Sequence, residues 1–119
     1  MNSVIIELTG REKEILDEVA AKVEDEMASL AALGREQRLA RFRDRVVGQL
    51  VLEGLQRLLW YIQVYEKRLD REQTERFGLQ ERRELVARQR EWEQARQCVA
   101  EIDGLIQKSY EDHEQGAFQ

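Results

Sequence analysis

The sequence predicts an all-α fold: a long antiparallel hairpin of two helices, with a shorter N-terminal helix packed on it. Three observations lead there. None of the 119 residues is proline, so no position lacks a backbone donor or clashes with the preceding helical turn. Ala, Leu, Glu, Gln and Arg are abundant, and these are the side chains that lose least freedom in a helix. Apolar residues recur at steps of three, four and seven through three long stretches set apart by single glycines.

Taken in order, Ser3 to Leu8 (S-V-I-I-E-L) has β-branched character and reads as a short strand or extended arm over residues 1–8. With no second strand in the chain, it would pair with its symmetry mate in a dimer or lie along the helices. Thr9 then opens the first helix, because T-G-R-E sets Glu12 three residues after a hydroxyl cap. That helix runs over about 10–33, with Ile15, Val19, Val23, Met27 and Leu30 on one stripe, and Gly34 ends it in the left-handed conformation.

The second helix is expected over about 36–77, roughly 60 Å without interruption. Its stripe begins Leu39, Phe42, Val46, Leu50 and continues Val51, Leu55, Leu58, Ile62, Tyr65, Leu69 with heptad spacing, as in a coiled coil. Gly48 and Gly54 mark a close helix approach or a mild bend. Gly78 makes the turn into a third helix over about 80–111, which carries Leu85, Trp92, Val99 and Ile106 at steps of seven with Ala95 and Ile102 between. Residues 112–119 read as a frayed tail, and the whole of 1–119 as one helical domain.

Charge and inventory narrow the function. Charged residues make up 36% of the chain with a net charge of -5, so both signs are plentiful and no partner class is selected. The apolar stretch Val46 to Tyr65 contains Glu53 and Arg57 near its middle, each costing about 2.5–3.5 kcal/mol on membrane insertion, which makes it a soluble helix. A single Cys98 leaves no internal disulfide, no basic-then-apolar leader is visible, and a cytoplasmic location is expected.

No catalytic residue, cofactor site or metal site is expected. His113 is the one histidine and lacks a glutamate three residues before it, so the Glu-x-x-His pair of di-iron bundles is absent. Zinc sites lack ligands, and the seven glycines are scattered rather than gathered in a phosphate loop. Cys98 and His113 would lie about 22 Å apart on one helix, too far for a nucleophile and its base. Cys98 is expected to be a packed apolar thiol. The carboxylates mostly have cations one turn away, as Glu72 has Arg76 and Glu84 has Arg88, and read as solvated helix faces.

The apolar excess points to a binding role. Leu52 and Leu59 form a second line on the long helix, with Trp60, Tyr61 and Val64 on a third. A first helix of about 35 Å would cover only half of the second. A helix apolar nearly all round must be covered nearly all round. A homodimer is therefore expected, with Leu52, Leu59, Trp60, Tyr61, Tyr65, Leu69 and Trp92 as its interface or as the site of a helical protein partner. Counting from Gly78, Trp60, Tyr61, Tyr65 and Trp92 gather in one aromatic layer. The function expected is that of a non-catalytic interaction or assembly protein: an adaptor, a chaperone or a subunit of a complex.

Five arginines between Arg35 and Arg45 face only Glu36 and Asp44 locally, but folding should bring Glu24, Asp25 and Glu26 beside them from one side and Glu101, Asp103, Glu111 and Asp112 from the other, so nucleic acid is not the expected partner. One alternative rests on pattern. Val4, Ile6 and Leu8 alternate, and R-D-R-V-V-G-Q-L-V-L-E-G-L follows as a second helix, so the first sixty residues resemble the ribbon-helix-helix family. That resemblance implies a dimeric DNA-binding regulator. Against it, the outward ribbon positions would be Ser3, Ile5 and Glu7, and Glu7 would face phosphate.

Overall fold

A computed structural model describes residues 4–71 and 77–117, side chains at 77, 78, 110 and 113–117 excepted. The chain forms α1 (Val4–Ala32), α2 (Arg35–Arg43), α3 (Val46–Arg71) and α4 (Phe77–Ala117). α3 and α4 make the predicted antiparallel hairpin, and α1 lies along it. The outline is a rod of 66 × 27 × 15 Å, with a radius of gyration of 19.2 Å against about 13.5 Å for a compact chain of this length.

The heptad line of α3 is the spine of the core. Leu55, Leu58, Ile62, Tyr65 and Leu69 are all buried. One cluster joins Ile62, Tyr65 and Leu69 to Val4, Leu8 and Leu85; a second joins Leu55 and Leu58 to Ile15, with Val19, Val51, Ala95 and Val99 at its edge. Tyr61 and Trp92 pack against both clusters and bridge them.

The N-terminal segment departs from expectation. Val4 to Leu8 is helical, and no strand forms among the described residues. Val4 and Leu8 stand one turn apart and extend the line of Ile15. Fully burying such side chains is worth about 1.5–3 kcal/mol each. Strand propensity spans only about 1 kcal/mol, so burial wins. The ribbon behind the ribbon-helix-helix resemblance is lost with the strand. Thr9 is accordingly not a cap: it lies inside α1 and its hydroxyl donates to the Ile5 carbonyl at 2.8 Å.

At 29 residues α1 is about 43 Å long, enough to cover the 26 residues and about 39 Å of α3. The distal half of the hairpin is therefore covered, contrary to expectation. Ion pairs follow the seam from end to end: Glu7 with Arg68, Glu18 with Arg57 and Glu26 with Arg41. The hydrogen bond from Arg57, and then its charge, hold the Glu18 carboxyl below its ordinary range.

Both glycines singled out on the long helix mark close approaches. A Cβ on Gly54 would collide with Val19 Cγ2 of α1, and a Cβ on Gly48 would stand 2.5 Å from Asp103 Oδ1 of α4. A third tie crosses the core: Glu12 is buried on the Leu8–Ile15 line and accepts from Arg88 Nη1 at 2.6 Å and Trp92 Nε1 at 3.3 Å. A buried carboxylate left unpaired is costly, so these two donors fix the register of α1 on α4.

Besides the start of α1, helix boundaries differ from expectation in four places. Gly34 is extended (φ -69, ψ 167) rather than left-handed, and its carbonyl receives Arg38 N–H at 2.9 Å to start α2. The single helix expected over 36–77 is broken after Arg43, where Asp44 caps α2 and Arg45 takes φ 57. The left-handed conformation costs a non-glycine residue roughly 1–2 kcal/mol. Arg45 Nη1 offsets that by pairing at 3.1 Å with the largely buried Asp103. α4 begins at Phe77, so Gly78 lies within its first turn; the connection at 72–76 lies outside the described residues. The helix then continues past the expected end near 111 to Ala117.

Candidate functional site: an open apolar groove

The apolar stripe of α4 is buried toward one end of the bundle and exposed toward the other. Along α4 the predicted stripe passes from Leu85, buried, through Trp92 and Val99, half-buried, to Ile102 and Ile106, 56% and 41% exposed. Along α1 it passes from Leu8 and Ile15, buried, through Val19 and Val23, half-buried, to Met27, 52% exposed, before Leu30 is buried again at 6%. One geometric fact explains the trend along α4. Gly48, in the first turn of α3, lies beside Asp103, while α4 runs on to Ala117, so roughly its last dozen residues, about 18 Å, pass beyond the end of α3.

Short α2 takes the place of α3 there but contributes no buried residue. The result is a groove of about 310 Å³ walled by all four helices: Met27 and Leu30 from α1, Phe42 from α2, Val46, Val47, Gly48 and Val51 from α3, and Val99, Ile102 and Ile106 from α4. Phe42 at its mouth is 41% exposed.

Two ion pairs complete the walls, formed by Glu26, Arg41, Arg45 and Asp103. Arg41 donates from Nε and Nη2 to Glu26 Oε1, at 2.8 and 2.5 Å, and so fastens α2 to α1. The pair of Arg45 with Asp103 fastens the α2–α3 junction to α4, and Gly48 leaves the space the Asp103 carboxylate occupies. The arginine run is therefore partly answered from within, by Glu26 and Asp103, both among the acids expected there.

The seven residues expected at an interface are distributed differently. Leu59, Tyr65 and Leu69 are buried in the chain's own core and present no surface. Leu52, Tyr61 and Trp92 are half-buried. Trp60 is 55% exposed, on the outward side of α3 with its ring edge-on to Tyr61 at 4.9 Å and 75°. The aromatic layer thus includes Tyr61, Tyr65 and Trp92, with Trp60 outside it. Cys98, expected to be packed, is exposed, and the His113 side chain lies outside the described residues.

Sequence reasoning missed the groove, although most of its apolar lining residues lay on stripes assigned to the core. No sequence signal marked it, because the expected helix over 36–77 would have covered α4 and only the break before Val46 leaves this end open.

Chemistry is sparse in this region. Among the described residues no three His, Cys, Asp or Glu side chains gather as a metal cluster, and no helix is long and apolar enough to cross a membrane. The arrangement is one that accommodates apolar side chains and orients them by charge at the rim. Comparison with protein-family models, curated proteins and solved structures finds no match to this chain.

Proposed function

We propose that this chain is a non-catalytic interaction or assembly protein, which takes a helical segment of a protein into the apolar groove at the open end of its bundle. The observation that carries this reading is the exposure of Met27, Phe42, Ile102 and Ile106 around one cavity, whereas Val4, Leu8, Leu69 and Leu85 of the same stripes are buried toward the other end. Apolar stripes at i, i+3 and i+4 spacing are the usual occupants of such grooves. A contiguous apolar surface of this kind on a soluble protein marks a contact site. The paired Glu26–Arg41 and Asp103–Arg45 keep polar groups at the walls satisfied without closing the mouth.

Affinity purification from the source cell tests the reading, with wild type and Ile102→Asp compared side by side. Ile102 is more than half exposed, so the variant keeps its fold, and far-ultraviolet circular dichroism verifies this. The expected result is a co-purifying chain at fixed stoichiometry, a second copy included, that is lost with Ile102→Asp. Identical material from both proteins refutes the groove as the site.

A further inference from the structure

We infer that the occupant of the groove is a second copy of this chain: the overhanging part of α4 in one protomer lies along α2 and across the groove mouth of the other, and the contact is repeated about a two-fold axis. This rests on the interaction reading above and names its partner. Three observations carry it.

The first is area. Met27, Leu39, Phe42, Ile102, Leu105 and Ile106 are each between 36% and 67% exposed, which leaves on the order of 600 Å² of apolar surface at one end of the molecule, the upper limit for an ordinary monomer. Two such surfaces facing each other bury about 1,200 Å², the lower bound for a specific stable interface.

The second is shape. Shortly past Asp103, α4 has no α3 beside it, yet Ile102, Leu105 and Ile106 form a ridge at helical i, i+3, i+4 spacing. Leu105, at 67%, does not line its own groove. Ile102 and Ile106 wall their own groove with one flank, while Leu105 stands off it, so the outer flank of the ridge has no counterpart within one protomer.

The third is charge. Around Leu105 on the same side of α4 stand Glu101 one turn before, Lys108 one turn after and Asp112 two turns after, all exposed, and with exposed Glu111 this stretch is net acidic. On α2, exposed Arg35 and Arg38 share a face with Leu39 and Phe42, at spacings of three, four and seven, against the one exposed acid Glu36. A net-acidic apolar ridge therefore meets a net-basic apolar stripe. A two-fold axis makes that match twice, as an isologous interface requires.

Sedimentation equilibrium of the purified full chain over on the order of 1–100 µM tests the inference. Wild type is expected to pass from monomer to dimer within that window. Leu105→Glu, which touches nothing in its own groove, should weaken association by at least about tenfold. Arg38→Glu should weaken it as well, and Asp112→Arg in the same chain should restore it. Exposed Cys98, one turn from Ile102, gives a local readout: its reaction with a thiol reagent should slow as wild-type concentration rises, and should not in Leu105→Glu.

A monomer throughout the window, or a dimer indifferent to Leu105→Glu, overturns the inference. If the chain is monomeric while purification still yields a different protein lost on Ile102→Asp, only the second-copy assignment falls. If neither is found, the groove reading falls too.

Discussion

Replacing Gly54 by alanine tests how closely α1 and α3 approach. At an open helical position alanine is more stable than glycine by about 1 kcal/mol. Gly10, exposed on α1, supplies that reference, since a Cβ there meets nothing within 4 Å. At Gly54 the added Cβ falls well inside 3.0 Å of Val19 Cγ2. Apolar carbons settle at about 3.5–4.0 Å, so Val19 must retreat by more than about 1 Å. A valine in a helix holds essentially one χ1 rotamer, so α1 itself has to shift. Overpacking of this kind costs about 1–3 kcal/mol. Gly10→Ala should therefore stabilise by about 1 kcal/mol, and Gly54→Ala should destabilise by up to about 2 once the propensity gain is subtracted. Urea unfolding followed by circular dichroism reads both, at one fixed protein concentration so that association enters equally. Val19→Ala should recover most of the loss in the Gly54→Ala background. If Gly54→Ala stabilises as much as Gly10→Ala does, the close approach is refuted.

Leu58→Ala should cost about 2–5 kcal/mol in the same assay, because Leu58 is fully enclosed, whereas Trp60→Ala should cost under about 1 kcal/mol despite its larger volume, because that ring faces solvent. Comparable losses from the two would contradict the assignment of faces on α3. Glu12→Ala removes the acceptor shared by Arg88 and Trp92, and should cost about 1–3 kcal/mol in chemical denaturation; an unchanged midpoint would show that the buried carboxylate does not tie α1 to α4. The Glu18 carboxyl is held below its ordinary 4.5 by Arg57, so its contribution is present above that value and fades as pH falls through the lowered one. The stability difference between wild type and Glu18→Gln, small because the pair is exposed, should accordingly vanish in acid, and a difference that grows there would reverse the sign of the argument.

Much of the fold is legible in the sequence because a heptad line survives any local detail. Leu55, Leu58, Ile62, Tyr65 and Leu69 form the core as their spacing requires, and the two glycines of that helix mark contacts. The N-terminal helix was hidden by composition: V-I-I suits a strand, and only the step from Leu8 to Ile15, with a glutamate between, shows the helical line. A charged residue at a core position hides periodicity, and what satisfies Glu12 comes from α4, some eighty residues away.

The break at Arg45 was also invisible, since R-F-R-D-R-V contains neither glycine nor proline and the compensating Asp103 lies in another helix. The candidate site was the least legible part. Ile102 and Ile106 have the spacing of core residues, and only the end of α3 at Val46 determines that they are left open.

The left-handed arginine has one more consequence. With Arg45 in ordinary helical torsions, as Asp44 already is, residues 35–71 would form an uninterrupted cylinder about 55 Å long. The direction of α2 would change, and with it the placing of Phe42 on the cavity and of Arg41 beside Glu26. A single pair of backbone angles thus decides whether the aromatic wall stands, and the carboxylate of Asp103 is the latch that holds those angles.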